Sequence, residues 1–536
     1  MRFAPSADRR SVLDRAHRGD VVGAAGRVLA VDTAPRPSRR RQVATLLAVM
    51  GPGVVVMVAD NDAGGIATYA QVGQNDGLRL VWLLVVLAGI LFVNQEMVAR
   101  LGAVTGAGHA RLISERFGRR WGAFALGDLI VVNLLVLITE FIGIAFGLGY
   151  FGVSRYVSVP LAALALITVS GTGSFRSWER AMYTLVAVSF VAVPLLVLAG
   201  HHNPAVAPIP AAPHGPVPGT VLLVVALIGT TVAPWQLFFQ QSNVVDKRIT
   251  ARWLSYERVD TAVGTVLFTG GAVAILAACA FAFSGTPFHG AFVNAGTVAS
   301  ALRQRAGGWA GALFAVALVD GSILGASAVT LSTSYAIGDV RGTRHSLHRR
   351  WGDARTFHGS YAACVVASAA GVLIPGAPLG VVTIGVQVLA GVLLPSALIF
   401  LLLLCNDRTV LGPWVNPRWL NTVAGAVVAG LLALSALLTL TTLFPHVALG
   451  WATVLSAATS AAMLGAVVGR RIGQPDIVVS GQTPPDRQFW TMPAIETLPP
   501  PSRSRSRTVG LIVLRVYLMV AVTVLVARLA QLIAGS

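Results

Sequence analysis

From residue 42 onward, long apolar runs alternate with short polar, arginine-bearing joints. A helix needs roughly 20 apolar residues to cross a bilayer. That pattern predicts spans at 42–72, 78–101, 122–149, 156–171, 181–199, 218–246, 259–283, 309–337, 358–374, 379–404, 420–444 and 447–469 (spans 1 to 12), with a thirteenth candidate at 509–533. The runs at 156–171 and 358–374 are short, so their boundaries are soft. Two runs are interrupted in the middle. Span 1 carries Asp60-Asn61-Asp62-Ala63-Gly64-Gly65, and span 6 carries Gly229-Thr230-Thr231-Val232-Ala233-Pro234-Trp235. Carboxylates are costly in hydrocarbon and glycines weaken a helix, so the first interruption predicts a broken helix facing a cavity or another protein surface. Pro234 lacks a backbone donor and clashes one turn back, which predicts a break just before it.

Interruptions five spans apart point to two inverted five-span repeats with a substrate site between the broken helices. Because five is odd, the second repeat enters the membrane from the opposite side. The expected organisation is a disordered basic cytoplasmic tail at 1–41, a first repeat at 42–199 and an external loop at 200–217. A second repeat follows at 218–404, then peripheral spans 11 and 12 at 405–469, a disordered cytoplasmic linker at 470–508, and a candidate thirteenth span within 509–536. The linker is rich in Pro, Arg and Ser, and the stretch 200–218 holds His201, His202 and His214 among six prolines. No i, i+3 or i, i+4 pairing gives those histidines a metal geometry, so a solvated loop is the simpler reading.

Composition supports the membrane reading. Of 536 residues, 55% are hydrophobic and 12% charged, with mean hydropathy +0.72, whereas a soluble domain carries about a quarter charged residues. The net charge of +18 would suit nucleic acid, but its placement follows the positive-inside rule. One set of joints holds Arg39 to Arg41, Arg111, Arg116, Arg119, Arg120, Arg176, Arg180, Lys247, Arg248, Arg252, Arg258, Arg341, Arg344, Arg349, Arg350 and Arg355; the opposite set holds only Arg155, Arg303 and Arg305. The basicity is therefore a topology signal, with the N-terminus cytoplasmic in a plasma (inner) membrane, and no nucleic-acid partner is expected. Cys279, Cys364 and Cys405 lie far apart in apolar segments and suggest neither a disulfide framework nor a thiol catalyst. There is no phosphate loop or nucleophile elbow, so no enzyme is expected. The sequence does not fix an oligomeric state; a monomer is compatible with it.

At the breaks, the half-helices ending near Ala59 and Thr231 present carbonyls without intrahelical partners, which carry partial negative charge. Asp60 and Asp62 add formal charge, so the spot suits a cation. The plainer alternative is that one aspartate only N-caps the following half-helix; capping and coordination can coexist. Glu140 in span 3 faces either the site or a structural partner. Gln236 and Gln240 could contact ion-bound waters or only bridge helices. Glu96 and Arg100 predict an i, i+4 ion pair, and Asp246-Lys247 an interfacial anchor.

Gly51-Pro52-Gly53, followed after eight residues by Asp62-Ala63-Gly64-Gly65-Ile66-Ala67-Thr68, resembles the first helix of the NRAMP divalent-metal transporters, whose pattern is GPG…DPGN-x-A-T. Gly229 to Trp235 resembles that family's sixth-helix G-A-T-x-M-P-H, Thr139-Glu140-Phe141-Ile142-Gly143 its third-helix A-E-F-x-G, and Gln387 with Leu394-Pro395 its tenth-helix glutamine and L-P. The resemblance covers roughly residues 42–445 and implies an all-α polytopic membrane protein of LeuT-type fold, a 5+5 inverted repeat with broken helices 1 and 6 and extra C-terminal helices, working by alternating access. It places the metal-binding aspartate on Asp62, with Asp60, Gly65, Thr230 and Ala233 around the ion and Asn61, Glu140, Thr231, Trp235, Gln236, Gln240 and Gln387 beside the cavity.

The departures carry more information. The family's asparagine ligand falls on Gly65 and its methionine on Ala233; its two sixth-helix histidines fall on Trp235 and Gln240, and a third-helix aspartate of the proton route on Leu137. This combination resembles the NRAMP-related magnesium transporter branch. Thioether sulfur favours softer ions, whereas Mg²⁺ prefers oxygen and keeps its waters. Transport of Mg²⁺, and also Mn²⁺, without protons is thus expected, the metal being substrate rather than cofactor. Inward movement of a divalent ion gains roughly 4.6 kcal/mol per 100 mV of membrane potential. The alternatives are a proton-coupled Mn²⁺/Fe²⁺ symporter of the ordinary type, or an amino-acid or organic-cation symporter on the same fold, which would not need an acidic doublet in span 1.

Overall fold

The computed structural model describes residues 14–32, 34–202, 218–443 and 487–499, with scattered positions at 451–461 and 511–523. The loop 203–217 and the rest of the 470–508 linker lie outside the described residues, and the expected spans 12 and 13 are represented only by the scattered positions. Among the described residues, eight helices are long and apolar enough to cross a membrane, or nine when Arg39–Val49 and Pro52–Val58, bent by 53°, count as one span. Spans 2, 3, 5, 7, 8, 10 and 11 are Val81–Thr105, Arg119–Tyr150, Phe175–His201, Ala251–Phe283, Gly308–Arg341, Leu379–Cys405 and Arg418–Leu437. Spans 4 and 9 are the shorter helices Arg155–Ser170 and Arg355–Val372.

Both interruptions are real breaks. Span 1 comprises Pro52–Val58 and Ala63–Asp76, and span 6 comprises Pro218–Thr231 and Pro234–Asp246. Glycine lets other backbones lie against these pieces, as expected where helices associate without a hydrophobic driving force between them. A Cβ on Gly53 would stand 2.6 Å from the Thr261 nitrogen of span 7, and one on Gly73 2.2 Å from the Leu276 oxygen. A Cβ on Gly229 would stand 2.0 Å from the Gln387 oxygen of span 10. Spans 3 and 8 meet the same way at Gly143, where a Cβ would reach Ser322 at 2.2 Å.

Three features depart from the sequence reading. Span 1 bends a second time, at Met50-Gly51, because Gly51 takes φ +151° and the buried Asp260 carboxylate accepts N–H bonds from Gly51 (3.0 Å), Gly53 (2.7 Å) and Val54 (3.1 Å). Asp260 thus caps the half-helix from another span.

The segment expected to be a disordered tail is ordered from Asp14. A turn at Arg15–His17 and a hairpin of strands Val21–Gly23 and Gly26–Val28 lead to the helix Arg39–Val49. Val21 and Val28 of the hairpin are buried in the hydrophobic core, and polar bonds fix its ends. Asp14 accepts from Arg349 (2.5 Å), the Ala24 N–H donates to Glu179, and Arg248 donates to the Ala16 carbonyl (2.8 Å).

Asp246 and Lys247 are not interfacial: both are fully buried. Asp246 accepts from Tyr335 Oη (2.6 Å), Ser346 Oγ (2.5 Å) and the Leu347 N–H (2.8 Å), while Lys247 pairs with Glu179 at 2.5 Å. The expected Glu96–Arg100 pair is present at 3.2 Å, with Arg258 also on Glu96.

Candidate ion site at the two helix breaks

The first break is built by short-range backbone bonding. Beyond Val58 the ladder tightens, with the Asp60 N–H reaching the Met57 carbonyl (3.2 Å) and that of Asn61 the Val58 carbonyl (3.0 Å). Asp62 is extended (φ −76°, ψ −177°) and its Oδ1 accepts from the Gly65 N–H at 2.7 Å, capping the second half-helix. Asp60, buried like Asp62, keeps Oδ2 without a protein partner. Asn61 donates to the Phe268 carbonyl of span 7 (3.1 Å), leaving its Oδ1 unpartnered. Capping therefore accounts for Asp62 Oδ1 but not for Asp60.

The second break has Ala233 extended (φ −100°, ψ 147°) and Pro234 as the first residue of the next half-helix, where a missing N–H costs nothing. Gln236 Oε1 reaches back to the Ala233 N–H (3.3 Å), as in the side-chain half of a capping box. Its Nε2 donates to Asp60 Oδ1 and lies 3.4 Å from the Thr231 carbonyl, so this amide joins the two breaks. Thr231 Oγ1 is tied to its own helix at Leu227, whereas Thr230 Oγ1 has no partner.

Gly65 locates the meeting point. A Cβ there would stand 2.8 Å from the Asp60 carbonyl oxygen, 3.2 Å from Tyr69 Oη and 3.3 Å from Thr230 Oγ1. Tyr69 Oη is also without a hydrogen-bond partner. Any side chain at Gly65 would fill the space these oxygens surround.

On the other side of Asp62, Glu140 Oε2 accepts from the Ala63 N–H (3.1 Å) while Oε1 is unpartnered. A Cβ on Gly325 would be 2.8 Å from Asp62 Cβ and 3.1 Å from Glu140 Cδ, so the two carboxyl groups are packed together beneath span 8. Two carboxylates that close repel unless a cation or a proton lies with them. Gln387 lies against the backbone of Gly64, its Nε2 unpartnered.

Not every expected residue joins the cluster. The Trp235 ring packs on Phe239, and its carbonyl accepts from Ser332 of span 8. Gln240 turns to span 7, donating to Thr261 (3.1 Å) and lying 3.4 Å from Glu257; this is the helix-bridging alternative. Ala233 contributes only a buried methyl. Tyr69, Gln95 (3.3 Å from Gln236 Oε1) and Asp260 were not anticipated. Tyr69 was accessible from spacing, since it follows Gly65 by four residues and shares its face; Asp260 was not, because its partners lie more than 200 positions away.

A cavity reaches toward the breaks from the arginine-poor side. Above Ala63 and Ala67, a pinched cavity is lined by Thr139, Gly143, Phe292, Asn294 and Thr383. Phe146 and Asn294 also line a wider cavity of about 560 Å³ with Gln74, Tyr150 and Thr297, on the arginine-poor side. Toward the basic side, every residue of Pro234–Asp246 is buried. No cluster of three His, Cys, Asp or Glu side chains able to hold a metal occurs among the described residues, so an ion at the breaks would rest on carbonyl and hydroxyl oxygens beside one or two carboxylates.

The profile described as "Natural resistance-associated macrophage protein-like" matches residues 53–441. A "Divalent metal cation transporter MntH" of Burkholderia ambifaria is 27% identical over 441 residues, covering 79% of this chain and 94% of its own. "Divalent metal cation transporter MntH 1" of Pseudomonas aeruginosa is 29% identical, covering 72% and 90%. Among solved structures, a mutant of the Eremococcus coleocola manganese transporter superposes with TM-score 0.62 at 19% identity, covering 86% of this chain and 98% of that one. The shared fold is the all-α, LeuT-type arrangement.

Proposed function

The chain belongs to the natural resistance-associated macrophage protein-like (Nramp) family, and from that premise we propose that it carries divalent metal ions across the membrane by alternating access, binding them at the breaks of spans 1 and 6. The observation that carries this reading is the group of buried, unpartnered oxygens there: Asp60 Oδ2, Thr230 Oγ1, Tyr69 Oη and Glu140 Oε1. Buried polar atoms are almost always bonded, and a transient ion supplies what these lack. Among ions, the donor set favours Mg²⁺, with Mn²⁺ also carried. It is made of oxygen and amide groups, Ala233 stands where a thioether would be, and Met57 turns to Gly264 of span 7. Soft ions gain nothing there, while a partly hydrated Mg²⁺ asks for oxygens and space. Asp62, Asp60 and backbone oxygens near Thr230 hold the ion.

Transport is proposed to run without protons, since a leucine, an indole and an amide stand at Leu137, Trp235 and Gln240 in place of titrating groups. The protein is placed in the plasma (inner) membrane with its basic face cytoplasmic, so the cavity lined by Asn294 opens outward. A second reading, a proton-coupled Mn²⁺ symporter, is favoured by the packing of Glu140 against Asp62, a pair that could exchange a proton for the ion.

One experiment separates them. Proteoliposomes containing the full chain and an internal pH dye are given Mg²⁺, Mn²⁺, Ca²⁺ or Cd²⁺. Mg²⁺ and Mn²⁺ uptake without acidification, and poor Cd²⁺ uptake, is expected. Strict acidification with each ion would establish the second reading, and strong Cd²⁺ preference would refute the Mg²⁺ assignment.

A further inference from the structure

Gln236 makes an unusual set of contacts for a side chain at the seat of an ion. Its Nε2 donates to Asp60 Oδ1 and points at the Thr231 carbonyl (3.4 Å), the open C-terminal end of a half-helix. Its Oε1 faces two donors, the Ala233 N–H (3.3 Å) and Gln95 Nε2 (3.3 Å). The backbone fixes which way round the amide lies, because Ala233 N–H can only donate and the Thr231 carbonyl can only accept. The positive end of the amide dipole therefore rests on a carboxylate and a helix-terminal carbonyl, two groups a cation would seek.

Resting on the transport reading above, we propose that in the ion-free protein the Gln236 amide nitrogen stands in for the transported cation, and yields its place when the ion arrives. A carrier must return empty between cycles. Reorienting with Asp60 bare in a dry core leaves a charge unsatisfied, which is costly. The amide satisfies one Asp60 oxygen and holds the two breaks together, so the empty form can close. When an ion binds, the amide swings off Asp60, and Gln95, on span 2, gives its Oε1 a place to pivot. Oδ2 of Asp60, Thr230 Oγ1 and Tyr69 Oη are left unpartnered even with the amide in place, so it holds the seat without filling it. Gln236 on this account positions Asp60 and competes with the ion.

A competitor for the seat affects binding and the empty return in opposite directions. Gln236→Leu, in full-length protein, is expected to tighten Mn²⁺ binding by about tenfold, the factor a hydrogen bond to a charged group is worth. In proteoliposomes it should preserve Mn²⁺/Mn²⁺ exchange, which needs no empty return, while net Mn²⁺ uptake into metal-free vesicles falls by about tenfold. A merely structural role would lower exchange and net uptake together and leave or weaken the affinity, and that result would overturn the proposal. Should the leucine variant not fold, the smaller Gln236→Ala also removes the donor to Asp60 without adding a charge, and must show the same split between exchange and net flux. Wild-type vesicles that move no divalent ion would refute the transport reading and this one with it. A transporting wild type whose variants show no split refutes only the role of Gln236.

Discussion

Two buried polar regions lie one above the other on span 6, and they are finished differently. At the basic end, the Asp246 carboxylate accepts from Tyr335, Ser346 and the Leu347 N–H, and Glu179 and Lys247 pair at 2.5 Å. At the breaks, Asp60, Asn61, Tyr69, Glu140 and Thr230 each keep an oxygen with no partner in an equally dry setting. Leaving such an atom unmade costs about 1–3 kcal/mol. A fold that satisfies one carboxylate with three donors and leaves another, equally buried, short keeps the second, on the transport proposal, for an ion that comes and goes. The contrast is graded rather than sharp. Gln240 Oε1 and both polar atoms of Asn243, on Pro234–Asp246 between the two regions, are also unpartnered, as are Glu257 Oε2 on span 7 and Asp339 Oδ2 at the basic end.

The largest expected effect breaks the comparison from the side of the breaks. Asp62→Ala should abolish divalent-ion flux in proteoliposomes while leaving the melting temperature of the purified protein nearly unchanged, because the lost cap to Gly65 is worth only about 1 kcal/mol. Normal flux would show that the ion binds elsewhere. The mirror experiment is Asp246→Ala, which strands Tyr335, Ser346 and a backbone N–H. It should cost about 3 kcal/mol of stability, the order expected for opening a buried charged network, read as a lowered melting temperature in detergent. Ion affinity of the molecules that remain folded should hold. An unchanged melting temperature would remove the distinction drawn here between closure and site. A smaller effect sharpens the ion choice: Ala233→Met restores a thioether beside the breaks and should raise Cd²⁺ affinity by about tenfold with little change for Mg²⁺, measured by calorimetry.

The sequence exposed the breaks more fully than their surroundings. Asp60 to Gly65 and Ala233-Pro234 were legible because proline, glycine and carboxylates violate helix and membrane rules locally, and the half-helix ends fall at Val58 and Thr231 beside the expected Ala59 and Thr231. The role of Gln240 was open, because a glutamine in a dry helix serves water or another helix equally well until the neighbour is known. Asp260 capping Gly51 to Val54, and Glu179 receiving Ala24, join segments far apart in the chain, and nothing in spacing marks such pairs. The ordered hairpin at Val21–Val28 was missed for a related reason. The arginines and prolines of the segment around it look like a solvated tail, and only Glu179, Arg248 and Arg349, far away in the chain, make it a docked one.

The smallest effect concerns that hairpin, and its sign follows from charge. Burial works against ionising Asp14, but the Arg349 guanidinium, the Ala16 N–H and His17 together hold its carboxyl down at about 2, below the usual 3.8. A carboxyl whose value is lowered on docking contributes stability above the undocked value, and loses it as pH falls from about 4 toward 2. The Asp14 contribution should therefore hold from neutral pH down to about 4 and fade progressively below it. His17 moves the same way for a different reason. Burial lowers it from 6.5 despite the nearby Asp246, so it docks neutral, and acidification below about 6.5 already favours release. Asp14→Asn removes the charge-assisted part of the bond to Arg349 and should make the segment cleavable at neutral pH, with ion affinity at the breaks retained. Limited proteolysis of the full chain between about pH 2 and 8, with an acid-active protease at the low end and mass spectrometry of the released peptides, reads both contributions. Cleavage that is identical in wild type and Asp14→Asn across that range would show that the hairpin is held by something other than the Asp14–Arg349 contact, and would detach the basic-end network from the segment that covers it.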